Sequence, residues 1–135
     1  MKKGKVLAID YGSKRIGIAT GDLELKMAFP RDIIKNKKGI LKEILDLVNE
    51  LDVKLIVIGL PLNMEEDHKE NPIMKDVLNL VEKFEKAGLQ VETVDERLSS
   101  FEAKDLTKPE KKGYNQHLDA HAAQIILQRY FDNLP

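Results

Sequence analysis

The sequence predicts an α/β protein, a mixed β-sheet covered by helices. Three observations carry this. Short runs of branched aliphatic residues, typical of buried strands, alternate with longer stretches whose apolar residues recur at helical spacing. The strand–helix–strand order implies parallel pairing through right-handed crossovers. The chain also opens on two strands separated only by a tight turn, and such a hairpin makes the sheet mixed. The predicted order is βββαβαβαα. The length, 135 residues, fits a single domain spanning 1–135 with a core of its own.

Each element has its own signature. Lys5–Asp10, KVLAID, reads as a strand buried on both faces. YGSK is punctuated as a turn. Arg15–Thr20, RIGIAT, is the returning strand, and Gly17 within it suggests close backbone approach or a bulge. A third strand is expected near Leu25–Phe29, ended by Pro30. The helix Ile40–Leu51 follows Gly39 and gathers Ile40, Leu41, Ile44, Leu45, Val48 and Leu51 on one face. KLIVIGL, the most apolar strand, is expected in the sheet interior, parallel to its neighbours and ended by Pro61. In the next helix Asn71 suits the N-cap, Pro72 the first position and Gly88 the C-terminal stop. LQVETVDE is a strand. SSFE fits a capping box, Ser99 to Glu102, opening a short helix. The last helix is HLDAHAAQIILQRYF.

Composition excludes several classes. There is no Cys and no Trp, so disulfides and thiolate zinc sites are ruled out. The first apolar run is about four residues, against roughly 7–15 in a signal peptide. No segment approaches the roughly 20 apolar residues of a membrane span. A cytoplasmic protein that does not engage membranes is therefore expected. The formal net charge of −1 offers no global argument for nucleic acid.

Three acidic groups lie where chemistry is expected. Asp10 ends the first strand, Asp95 and Glu96 end the last, and Asp119 lies in the first turn of the final helix. In open α/β sheets the functional crevice lies beyond the carboxyl ends of parallel strands. Asp119 shares a helical face with Ala122, Ala123 and Ile126, small and apolar residues that would press the helix onto the sheet. Taken singly, each acid also suits a turn or a helix start. Taken together, clustered carboxylates repel and raise each other's pKa unless a cation sits among them. Mg²⁺ takes such oxygen ligands, and paired ions about 3.5–4 Å apart activate water and stabilise a leaving phosphodiester oxygen. The cluster thus predicts metal-dependent phosphoryl chemistry.

IDYGSKRIGIAT, VIGLPLNM, VDERLSSFEA and DAHAAQIILQRY, in order and nearly end to end, resemble the YqgF family. Its members are described as Holliday-junction resolvases or pre-16S rRNA nucleases, and the family is similar to ribonuclease H and the RuvC resolvase in fold. The resemblance implies a ribonuclease H-like five-stranded mixed sheet of order 3-2-1-4-5, flanked by helices and carrying a metal-bound acidic site. It makes Asp10, Asp95, Glu96 and Asp119 the candidate catalytic acids, with Mg²⁺ or Mn²⁺ as cofactor. Asp10 is the first implied ligand, Asp95 or Glu96 the second, and Asp119 the third. Alternation puts 95 and 96 on opposite faces, and Glu96 has the longer reach. RuvC-like enzymes also carry an acid on the strand after the first helix. Here VIGLPLNM ends without one.

Cations near these acids suggest a polyanionic partner. Lys14 and Arg15 in the first turn, and Arg97 after the acids, suit phosphate contact, Arg in a bidentate grip. Lys108, Lys111 and Lys112 precede Asp119, with Tyr114 available to stack on a base and Gln116 nearby. Asn63 in GLPLN is a candidate phosphate donor. His117 and His121 flank Asp119, placed for substrate contact or proton transfer, and His68 lies in a polar loop. None has the Cys partners of a zinc site.

Three function classes fit. The leading one is a divalent-metal-dependent endonuclease on structured RNA, by resemblance the 5′ end of the 16S rRNA precursor, in ribosome biogenesis. A resolvase of four-way DNA is its nearest alternative. That activity needs a dimer to cut two strands symmetrically, whereas the sequence suggests a monomer or weak homodimer. An actin-like phosphotransferase shares the acid and glycine-containing turn, but such ATPases clamp nucleotide between two domains of this fold. A non-catalytic RNA-binding assembly factor is the third class, and the three filled acid positions argue against it.

Overall fold

The strands and helices follow the sequence closely. The computed structural model describes residues 4–60, 72–95 and 115–135, and the side chains in those ranges except at 95 and 115–120. The elements are β1 (Lys5–Tyr11), β2 (Arg15–Asp22), β3 (Met27–Lys35), α1 (Ile40–Leu51), β4 (Val53–Leu60), α2 (Pro72–Lys86), β5 (Gln90–Asp95) and α3 (Asn115–Asp132). The sheet order is β3-β2-β1-β4-β5. β1 pairs antiparallel with β2 and β2 with β3, whereas β1–β4 and β4–β5 are parallel. This is the ribonuclease H-like order the resemblance implies.

Two cores sandwich the sheet. On one face Leu7, Ile9, Ile16, Ile18, Ile56 and Ile58 pack against Ile44 and Val48 of α1 and Val77, Leu80 and Phe84 of α2. On the other, Val6, Ala8, Ala19, Ala28, Leu55 and Val57 pack against Ala123, Ile126, Leu127 and Phe131 of α3. Burial on both faces explains why β1 and β4 read as continuous apolar runs rather than alternating ones. The second face is rich in Ala, so α3 lies close to the strands. At Gly21 an added Cβ would sit 2.8 Å from the Phe131 ring.

The end of α2 and the span of α1 behave as their residues require. Gly88 takes φ of 88° just past α2. The Leu89 N–H returns to the Phe84 carbonyl at 3.1 Å and the Gly88 N–H to that of Glu85 at 3.0 Å, so a left-handed stop satisfies the last turn. α1 spans the predicted residues, with Ile44 and Val48 buried at its centre.

β3 corrects the sequence reading. Residues 23–26 form a turn instead of the strand's start: the Asp22 carboxylate accepts the Glu24 N–H at 2.6 Å, and its carbonyl accepts the Lys26 N–H at 2.7 Å. This Asx-type turn holds Leu25 in spite of its apolar side chain. Nor does Pro30 end the strand, which continues to Lys35. The Ala28 N–H donates to Gln128 at 3.0 Å, and its carbonyl accepts from Gln124 at 3.1 Å, so this backbone faces the outer edge. Pro30, two residues on, faces the same way, and its missing N–H removes no ladder bond, as edge strands allow. The register shifts just after it, where Ala19 pairs Pro30 but Ile18 pairs Asp32, bulging Arg31. The expected Asn71 cap, the stop at Pro61 and the short helix at SSFE lie outside the described residues.

Candidate active site

Asp10 lies at the carboxyl end of β1, half-buried. Its neighbours in sequence, Ile9 and Tyr11, face α1 and α2, so Asp10 shares the α3 face with Val6 and Ala8. Across the ladder its partner is Gly17. On the other side, one step past the Ile9–Ile58 pair, stands Gly59, which is level with Val94 of β5. The α3-side row therefore reads Ile33, Gly17, Asp10, Gly59, Val94. Both ladder neighbours of Asp10 in this row are glycines, so neither adjoining strand sets a side chain beside it. At strand spacing, β5 lies roughly 10 Å from β1. Gly59, on β4 between them, adds no side chain to this face.

α3 brings its first turns to the same end. Phe131 packs beside Gly21, which pairs with Val6 at the amino end of β1. Going back twelve residues to position 119 covers about 18 Å of helix. From Val6 to Asp10, β1 advances about 13 Å in the same direction. The buried residues Ala122 and Ala123 lie three and four residues after 119 and fix its helical phase against the sheet. Asp95 ends β5 opposite Leu60, at the same carboxyl edge. The fold thus places the backbone of Asp10, Asp95 and position 119 along one edge.

The turn after Asp10 is braced. A Cβ on Gly12 would meet the Arg15 carbonyl at 2.5 Å, so the turn closes on a residue without a side chain. Asn36, just past β3, donates its Nδ2–H to the Gly12 carbonyl at 2.8 Å, and its backbone N–H to the Lys14 carbonyl at 3.0 Å. Lys14 is exposed and Arg15 half-buried. Arg15 pairs with Lys35 in register, two residues before Gly17 and on Asp10's face. Sequence reasoning missed Asn36, because a contact across 24 residues leaves no local signal. It also missed Lys35, Lys37 and Lys38, which read only as the polar approach to a helix. Gly59 was read as part of an apolar strand.

His121 is half-buried on α3. Gln116 and His117 fall in the first turns of α3. Asn63, His68, Glu96, Arg97, Lys108, Lys111, Lys112 and Tyr114 lie outside the described residues. Among the described residues no three His, Cys, Asp or Glu side chains gather as a metal site. The Asp10 donor set nevertheless suits a hard divalent ion: its oxygens are hard ligands, and neither ladder neighbour carries a side chain that would compete for the position. No described helix is long and apolar enough to cross a membrane.

Comparison with known proteins identifies the family and agrees with the fold. A family model described as RuvX, Holliday junction resolvase, matches residues 4–133. A protein of Endomicrobium trichonymphae, named "Putative pre-16S rRNA nuclease", is 39% identical over 139 residues, covering 95% of each chain. One of the same name from Nitrosospira multiformis is 38% identical, covering 96% of this chain and 88% of its own. In fold, the chain is similar to Thermus thermophilus RuvC bound to a Holliday junction substrate, with a TM-score of 0.60 at 14% identity, covering 94% and 93% of the two chains. The near-complete family match and the relatives above 30% identity place this chain in the RuvX (YqgF) family.

Proposed function

We propose that this protein is a divalent-metal-dependent endonuclease that hydrolyses a phosphodiester near the 5′ end of the 16S rRNA precursor, acting in the cytoplasm as a single 1–135 domain. The observation that carries this reading is the row Gly17–Asp10–Gly59 at the carboxyl edge, beneath the start of α3. It sets a carboxylate between two residues without side chains, at the edge to which the sequence supplies two further acids.

Asp10 and Asp119 are the proposed ligands of Mg²⁺ or Mn²⁺. The third is Asp95, the last residue of β5, or Glu96 after it. Glu96 is favoured for the longer reach of its side chain. When bound, the metal supplies charge neutralisation and an activated water. The chain's own residues orient and bind. Asp119 accepts a proton from the attacking water, and Arg15, Lys14 and Arg97 hold non-bridging phosphate oxygens. Asn63, Lys111, Lys112 and Tyr114 are proposed to contact the flanking strand.

A second reading, cleavage of four-way DNA, is favoured by the description of the matching family model. One assay separates them. The purified protein is incubated with labelled 16S precursor RNA or with four-way DNA junctions, in Mg²⁺, Mn²⁺ or chelator, alongside Asp10→Asn. Cleavage of the RNA that chelator and Asp10→Asn both abolish is the expected result. Cleavage unaffected by either would overturn the metal-nuclease reading. Cutting of junctions alone would transfer it to DNA, and tight RNA binding without cleavage would indicate an assembly factor.

A further inference from the structure

A second cationic surface borders the Asp10 edge, and the sequence reading did not use it. Lys35, the last residue of β3, and Lys37 and Lys38, between β3 and α1, are exposed. No acid falls between Ile33 and Lys42, although the whole chain carries a formal charge of −1. Charge is thus segregated, and a near-neutral total hides a local positive field of the kind that recruits polyanions. Lys37 makes an ion pair with Glu43 at 3.5 Å, but both side chains are largely solvated and the pair is weak.

Geometry joins this surface to the candidate site. Lys35 sits directly opposite Arg15 in the β2–β3 register, on Asp10's face, one step of two residues beyond the Asp10–Gly17 row. Asn36 ties the lysine segment to the turn through both of its hydrogen bonds, to Gly12 and Lys14. The Asn36 bonds thus hold the Lys14 turn against the end of β3, where Lys35 lies, with Lys37 and Lys38 following in the chain.

We propose that Lys14, Lys35, Lys37 and Lys38 form a cationic rim that carries the phosphates of the RNA strand flanking the scissile bond, on the side of the site away from β5. Resting on the nuclease reading above, this assigns the direction in which the strand leaves Asp10. Asn36 is a positioning residue in it.

The test is RNA binding measured against salt. Labelled precursor RNA is titrated with the full chain carrying Asp10→Asn, which keeps the substrate intact, with and without Lys35→Gln, Lys37→Gln and Lys38→Gln together. Each phosphate contact on single-stranded RNA contributes roughly 0.7 to the slope of log affinity against log salt, so losing three lowers it by about two. Between 50 and 200 mM salt the parent should lose roughly 20-fold more affinity than the triple variant. Removing equal charge from α2, with Lys75→Gln, Lys83→Gln and Lys86→Gln, should leave the slope as it was. All six lysines are exposed, and circular dichroism confirms that both triple variants fold. If the parent binds RNA and the rim variant shows the same slope, the rim is overturned while the nuclease reading stands. If the parent binds no RNA at any salt, the RNA-nuclease reading falls and the rim falls with it.

Discussion

Asp10 stands directly across the β1–β2 ladder from Gly17, and the two share the face on which α3 packs. Residues opposite one another in a sheet bring their Cβ positions within about 5 Å. A side chain at 17 would therefore project into the space that the Asp10 carboxylate borders. Here the glycine serves the site more than the strand, since glycine within a strand costs about 0.5–1 kcal/mol relative to alanine.

Replacing Gly17 by alanine should therefore separate stability from activity. The backbone term favours the variant, so its denaturant midpoint should be unchanged or slightly higher. Displacing the reacting groups by about an ångström costs on the order of 10²-fold in rate, so metal-dependent cleavage should fall about that far. Single-turnover cleavage beside urea denaturation checks both. Full activity in Gly17→Ala would show that the space beside Asp10 is unused.

The acids themselves predict a metal-linked stability. If Asp10, Glu96 and Asp119 gather as proposed, they repel each other without a cation. Asp10→Asn should therefore be at least as stable as the parent in chelator. In Mg²⁺ the order should reverse. The parent gains RT ln(1 + [L]/Kd), about 1.4 kcal/mol when the ion stands at ten times its dissociation constant, and the variant gains less. Thermal midpoints across a Mg²⁺ series decide it. Equal Mg²⁺ gains in both proteins would remove Asp10 from the ligand set.

Most of the fold was legible because its signals are local. The 3.6-residue period of α1, the continuous aliphatic runs of β1 and β4, and Gly88 past α2 each act within a few residues. The acid at the end of β1 was legible for the same reason. What escaped depends on neighbours distant in sequence. Pro30 breaks a strand only if its N–H is needed, and whether it is needed depends on the edge position of β3. The pairing of Gly59 with Asp10's row, the Asn36 brace and the opposition of Arg15 to Lys35 are all set by strand register. A single sequence does not display register.

The edge of β3 yields a third prediction. Gln128 accepts the Ala28 N–H and donates to the Lys26 carbonyl at 3.0 Å, while Gln124 serves the Ala28 carbonyl. Two glutamines one helical turn apart thus cap backbone groups that an edge strand would otherwise offer to another chain. Met27 and Phe29 beside them are about half exposed, at 52% and 51%. At about 0.5–1.5 kcal/mol per bond, Gln128→Ala should cost roughly 1–3 kcal/mol and open the edge. Chemical denaturation should show the loss, and light scattering on heating should show earlier association. A variant with unchanged stability and no added association would mean that solvent serves these groups equally well.

Tyr130 supplies a pH signature at the end of the fold remote from Asp10. Burial raises its phenol pKa above the ordinary 10.0, and the nearby charge of Glu92 adds to the rise. Both disfavour the phenolate in the folded chain, where Tyr130 is packed at the edge of the α3 core. The sign follows from linkage: a folded pKa above the unfolded one gives stability that is fully present below pH 10 and lost as pH rises through the folded value. The ultraviolet phenolate titration of the native protein should therefore contain a late component that Tyr130→Phe removes. Glu92→Gln should move that component to lower pH without abolishing it, since burial is the larger cause. Above pH 10 the denaturation midpoint of the parent should fall more steeply than that of Tyr130→Phe. If the substitution leaves the titration curve unchanged, the phenol is solvated and its packing at the edge of the α3 core does not shield it.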